Sequence, residues 1–373
     1  MIKRASFALL PLTALLSGCG MFGGSDRGMP KLPDVSGPPP AKIAWQASLS
    51  KSADFTFVPA VGQGVVYAAG ADGTVAVISE TTGKLDGRID AGSKLTAGVG
   101  FGDGRIVVGN DKGEVVAYDK AGKVLWKSAL GGELLAPPTV LASAVLVRTA
   151  DGRLFSLNSL DGKRRWAYQR ATPALTLRSS AGVLVNRNTV YAGFPGGKLV
   201  AIELETGKPV WETTLSLPRG ATELERIADI AGLPQLDETR ICAAVYQGRS
   251  GCVETLNGNV LWSREISGAS GVAIDGKNLY FTDDTGNVIA LDKLSGASLW
   301  KQEQINKRKP ATPVVFAGRI WVGDSTGLIH ALSASDGALL ARLSTDGSAV
   351  KSLLVVSDTL MAQTEKGGVF AVR

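Results

Sequence analysis

The sequence predicts an all-β fold, an eight-bladed β-propeller of four-stranded antiparallel blades. Three observations lead there. One short phrase, "AYDKAGKVLW" at 117–126, returns as "SLNSLDGKRRW" and "AIELETGKPVW", and its turn glycine falls at Gly83, Gly122, Gly162, Gly207, Gly258, Gly296 and Gly337. Those spacings, 39, 40, 45, 51, 38 and 41 residues, give the roughly 40-residue period of a propeller blade. The 46 glycines among 373 residues, spread evenly along the chain, fit many turns between short strands.

The N-terminus comes first. Lys3 and Arg4 precede an apolar run from Ala5 to Leu16, closed by Ser17-Gly18-Cys19. A basic start, about a dozen apolar residues and a small-residue exit make a secretory signal over 1–18, too short to span a bilayer as a mature helix. Residues 19–41 read as a tether. The stretch "GMFGGSDRGMPKLPDVSGPPP" holds five prolines, buries little, and at roughly 3.3 Å per residue could reach some 70 Å.

The propeller occupies 42–373. Blade 2, "GRIVVGNDKGEVVAYDKAGKVLW", reads as strand, glycine turn, strand, turn, strand. A further strand precedes each unit, as in "PPTV" (137–140) and "TPVV" (312–315). In "GEVVAYD", Val115 and Ala117 face one way and Val116 and Tyr118 the other, so both faces are apolar. Such a strand must lie between two neighbouring sheets. Trp126, Trp166, Trp211, Trp262 and Trp300 each stand four residues after a turn glycine. A large flat ring at one fixed point in every blade is best used as a spacer against the next blade. Gly87 and Ala341 take that position in blades 1 and 7, where weaker contacts are expected.

Turn glycines alone count seven blades. The C-terminal "TLMAQTEKGGVFAVR" stops after the third strand of an eighth, and "AKIAWQASL" (41–49) carries Trp45 in the Trp position. Joining the two termini in one sheet would complete an eighth blade and remove the open edges.

Charge and rare residues bound the chemistry. The formal charge is +6, or +4 without residues 1–18. No basic block interleaves with aromatics, which argues against nucleic acid. His330 is the only histidine, so no multi-histidine metal site can form, and its strand position is a packing position. Asp283-Asp284-Thr285-Gly286-Asn287 has calcium-like residues but occupies a strand-to-strand turn, which explains them without metal. Cys242 and Cys252 flank "YQGRSG" symmetrically. In a hairpin they would sit opposite each other, and an exported protein meets an oxidising compartment, so a cross-strand disulfide is expected, the alternative being two small buried thiols.

The repeats, A-[LIY]-[DE]-x-x-[TS]-G-K-x-x-W in outline, resemble the pyrroloquinoline-quinone (PQQ)-like propeller family. That family includes quinoprotein dehydrogenases as well as scaffolds, so the likeness implies fold and leaves function open. The dehydrogenases need a metal, a catalytic aspartate and often a pair of adjacent cysteines. This chain has no Cys-Cys pair, and the alternative of a periplasmic PQQ-dependent dehydrogenase is the weaker one.

Leu16-Ser17-Gly18-Cys19 resembles a bacterial lipobox, which implies lipidation at Cys19. Gly20 follows rather than an inner-membrane retention aspartate, implying the outer membrane with the body facing the periplasm. Lipobox, tether and blade count together resemble the scaffold lipoproteins of the outer-membrane β-barrel assembly machinery. "PALTLRSS" (173–180) is similar to that family's L-x-L-R segment, which puts Leu175, Leu177 and Arg178 on partner-binding positions. "TELERIADIAGLP" (222–234) is similar to its R-[LI]-x-D-V-D loop, with Asp229 at the first aspartate and Ala231 where the second would stand.

The resemblance implies a non-catalytic protein without cofactor that docks on the POTRA domains of a BamA-like central barrel component. Other machinery lipoproteins and unfolded barrel precursors are its further implied partners. The spacing points the same way. The two long intervals, 45 and 51 residues, contain these two segments, and insertions in repeat proteins gather on a binding face. From pattern alone Leu175 and Leu177 fit an inter-blade core equally well.

Overall fold

The structure, a computed structural model, describes residues 29–35, 39, 41–230 and 232–373. The proposed signal sequence, Cys19 and Ala231 lie outside the described residues. Among the described residues there is no helix, and the strands form eight four-stranded antiparallel sheets. Blades 1 to 7 span 60–90, 97–129, 139–168, 184–214, 235–264, 273–302 and 314–344, each running in chain order from an inner strand a to an outer strand d. Blade 8 takes Val350–Val356, Thr359–Thr364 and Gly368–Val372 from the C-terminus and Ile43–Ser48 from the N-terminus.

The ring therefore closes by strand pairing. Trp45 lies opposite Ala371 and Ser48 opposite Gly368. Lys42 and Arg373 exchange backbone hydrogen bonds of 2.8 and 3.0 Å at the end of the pair. Seven blades, the smaller count, would leave both terminal segments unpaired. The inner strands are shorter than the sequence suggested. Blade 3 begins at Thr139 rather than Pro137, and blade 7 at Val314 rather than Thr312. Pro137, Pro138 and Pro313 have no N–H to give to a ladder.

Eight apolar clusters fill the eight seams between consecutive blades. In blade 2, Ile106, Val108, Val116 and Tyr118 face the seam with blade 1, while Val107, Val115 and Ala117 face blade 3. Alternation along one strand thus feeds two different cores.

The tryptophans bolt the seams from outside. Six of the seven indole N–H groups donate to a backbone carbonyl of the next blade: Trp45 to Glu80, Trp126 to Ser159, Trp166 to Leu204, Trp211 to Thr255, Trp262 to Lys293 and Trp300 to Ala334, all within 2.8–3.0 Å. Each of these rings also lies against the next blade's turn glycine. At Gly207 (φ 72°) an added Cβ would stand 2.6 Å from the Trp166 ring. The glycine is thus required twice, by its left-handed backbone and by the ring.

Both exceptions have physical reasons. In blade 1, Ile89, two residues beyond Gly87, reaches Gly122 of blade 2. Blade 7 faces blade 8, which has chain termini instead of a turn at that place, so Ala341 packs in a cluster with Ala41 and Val372.

The remaining singular residues are structural. Cys242 and Cys252 are directly opposed in blade 5 and joined by a disulfide, with no exposed surface. His330 is fully buried in blade 7, and its Nε2 lies 3.0 Å from Asp324 Oδ2. Burial pushes the Asp324 carboxyl up, but the bonds from His330, the Leu328 amide and Thr326 outweigh it and hold it down at about 2. Asp283 Oδ1 accepts the amides of Thr285 and Asn287 (3.0 and 2.8 Å) and its Oδ2 accepts Asn287 Nδ2 (2.8 Å), as a turn aspartate does.

The Trp–Gly contact has a measurable signature. Gly207→Ala should cost about 3 kcal/mol in the native background, from the left-handed backbone and the ring clash together. With Trp166→Ala already in place, the same change should cost only about 1 kcal/mol. Denaturant unfolding of the four proteins measures both. Equal costs in the two backgrounds would mean that ring and glycine do not meet.

Candidate partner-binding site

The connections from strand d of one blade to strand a of the next share a face of the ring with the turns between strands b and c. The two longest join blades 3 and 4 (169–183) and blades 4 and 5 (215–234). These are the two segments marked by the long spacings.

The second connection is built around one reciprocal turn. Thr222 Oγ1 accepts the Glu225 amide (3.3 Å), and Glu225 Oε2 accepts the amides of Ala221 and Thr222 (2.8 and 3.1 Å). This is capping-box chemistry on a single turn. It holds Leu224 outward at 65% exposure, with Leu217 at 69% nearby in the chain. Sequence reasoning missed both leucines. The connecting length was noticed, but the apolar residues within it were not.

The first connection exposes Leu175, at 46%. Leu177 is half-buried over a small cavity of about 20 Å³ bordered by Arg148, Pro195 and Asp229. Arg178 is half-exposed. Its guanidinium pairs with Glu133, in the connection from blade 2 to blade 3, and lies 5.3 Å above the Phe55 ring. Arg178 thus ties this loop to two other connections on the same face.

Asp229 departs from the sequence reading, which placed it at the contact surface. It is 3% exposed. Its Oδ2 accepts the Leu177 amide (2.7 Å) and its Oδ1 the Gly196 amide (3.0 Å), while its carbonyl accepts the Tyr246 amide (2.8 Å). One residue therefore joins the blade 3–4 connection, the b–c turn of blade 4 and the b–c turn of blade 5. A carboxylate is drawn inside because backbone donors converge on it. Beneath the loop, burial pushes the Arg148 guanidinium down to about 10 against the pull of Asp229, so it stays cationic at neutral pH. Asp229 is a positioning residue for Leu177, and the exposed apolar set is Leu175, Leu217 and Leu224.

The ring axis offers a second concavity, of about 690 Å³. Its lining among the described residues is mostly small or apolar, with serine and threonine hydroxyls, the amide of Gln235 and Lys351 as the sole charged side chain. A hard cation needs carboxylate oxygens and proton transfer needs a base. The lining supplies no carboxylate, Lys351 being its one charged side chain, and among the described residues no three His, Cys, Asp or Glu side chains gather as a metal site. These residues do not fit a metal-assisted quinone centre.

Substituting Asp229→Asn turns an amide NH2 toward a backbone donor and leaves one buried N–H unmet. Amide exchange at whichever of Leu177 and Gly196 faces the new NH2 should quicken at least tenfold, while Val200 in the adjoining strand keeps its protection. Hydrogen exchange by NMR or mass spectrometry reads this, and unchanged rates at 177 and 196 would remove the positioning role.

Comparison with known proteins bears on what this face serves. The family model described as outer membrane protein assembly factor BamB matches residues 71–302 and 285–373. A protein of that name from Nitrosomonas eutropha is 42% identical, over 97% of this chain and 93% of its own length. Its namesake from Escherichia coli is 29% identical, over 98% of this chain and 97% of its own. The crystal structure of BamB from Moraxella catarrhalis superposes with a TM-score of 0.83 at 26% identity, covering 89% of this chain and 99% of that one. The quinohemoprotein alcohol dehydrogenase of Comamonas testosteroni reaches a TM-score of 0.73 at 14% identity, covering 89% of this chain and 76% of that one. At that identity it shares the fold alone.

Proposed function

The chain belongs to the BamB family of outer membrane protein assembly factors, and from that membership we propose that it is a non-catalytic scaffold of the barrel-assembly machinery. It docks through the connections of blades 3 to 5 on the POTRA domains of a BamA-like component. Lipid at Cys19 holds it at the outer membrane with the ring in the periplasm. There it helps align unfolded barrel precursors for insertion, alongside the other lipoproteins of the machinery.

The single observation that carries this reading is the set of exposed leucines on the two connections that the buried Asp229 joins, with Arg178 on the first of them. Apolar side chains held outward on ordered loops, with a guanidinium among them, are what a specific protein contact needs. The ring is rigid, so little order is lost on docking. The axial cavity, with no carboxylate among its described lining residues, gives no support to the dehydrogenase alternative.

Leu175→Ala combined with Arg178→Ala removes two exposed side chains and no backbone bond. Affinity for the purified POTRA domains should fall by about thirtyfold, about 2 kcal/mol, with an unchanged melting temperature. Calorimetric titration measures it. A folded double variant that binds as tightly as the native chain would mean the docking surface lies elsewhere.

A further inference from the structure

The described N-terminal residues do not trail freely. Residues 29–35, "MPKLPDV", lie against the outer side of the seam between blades 6 and 7. Arg308 Nη2 donates to the Pro30 carbonyl (3.3 Å) and Arg342 Nη2 to the Pro33 carbonyl (3.0 Å). Between these two bonds Leu32 packs on the apolar cluster of that seam, on which Trp300 and Leu339 also pack.

The segment suits such a place. Proline has no N–H to leave unmet and a fixed φ, so an extended stretch docks at small entropic cost. The carbonyls before and beyond Leu32 meet cationic donors. Arg308 is itself aimed from within: its Nη1 reaches Asp324 Oδ2 (3.4 Å) and Thr326 Oγ1 (3.2 Å), and Asp324 is the fully buried partner of His330. The groove is therefore backed by ordered side chains.

We propose that this seam is a docking groove for the chain's own N-terminal segment, and that the docked strap sets where and how closely the propeller hangs from its anchor. The statement about the anchor rests on lipidation at Cys19. With the strap docked, the chain between Cys19 and Met29, about ten residues, spans at most about 35 Å; from Cys19 to Ala41 the limit is about 75 Å. The Pro30 end lies at Arg308, in the connection into blade 7, on the loop-bearing face. Around the ring that root stands three seams from the 175–178 segment. A docked strap thus cuts the greatest distance of the docking loops from the membrane to about half that of a released leash.

Limited trypsin digestion of the full mature chain, read by mass, tests this at the Lys31–Leu32 bond. Trypsin needs an extended, unbound segment. Cleavage should be at least tenfold slower in the native chain than in Leu32→Ser or in Arg308→Ala with Arg342→Ala. Leu32→Ser leaves the ring untouched, so it decides the matter even if the arginine pair variant melts early. Equal rates in native and Leu32→Ser chains would overturn the docked strap. Trypsin also cuts after Arg27, and the mass of the released 19–27 fragment reports lipid independently. A slow cut at Lys31 with an unlipidated 19–27 fragment would uphold the groove and overturn only the anchoring.

Discussion

Each blade of this protein is apolar on both faces, and that constraint governs everything else. A sheet whose two faces are both greasy has no stable life alone. Each seam is filled by side chains from two blades, as Val107 and Val115 of blade 2 meet Val145 and Phe155 of blade 3. Stability is therefore shared around the ring, and an open ring would leave two faces wet. Closure by Trp45 and Ala371 in one sheet is what lets the last two seams form. The Ile43–Ser48 strand and the three C-terminal strands thus share a single blade.

That closed frame explains how loops can carry function. A connection of some twenty residues would ordinarily be loose. Here Asp229 binds one connection to the other and to two b–c turns, and each turn is continuous with strands locked in the seams. The exposed leucines inherit order from the frame. Arg178 adds a second tie, through Glu133 and Phe55. Surface ion pairs of this kind contribute little to stability; its use is to hold the loop in place across the face.

Much of this was legible in the sequence. The repeat period, the double-faced strands and the regular Trp–Gly interval are local patterns, so blade number and ring closure could be read from them. What was not legible depends on partners remote in the chain. Ile89 standing in for a tryptophan follows from a glycine in the next blade. Asp229 looked like a surface aspartate because nothing nearby announces that the amides of Leu177 and Gly196 converge on it. Leu217 and Leu224 were hidden in a stretch whose charged residues dominate. The segment 29–35 read as a tether from its prolines, whereas Arg308 and Arg342, which hold it, lie 278 and 309 residues away from their partners.

The central claim is that the face bearing the blade 3–5 connections meets the assembly machinery. The most direct measurement is photo-crosslinking in growing cells. A crosslinking amino acid would be placed at Leu175 and, on the opposite face, at Leu256, whose side chain is 79% exposed. Crosslinks to the POTRA-bearing barrel component are expected from position 175 and not from position 256. The reverse pattern, with 256 reaching that component and 175 silent, would contradict the claim and turn the propeller over.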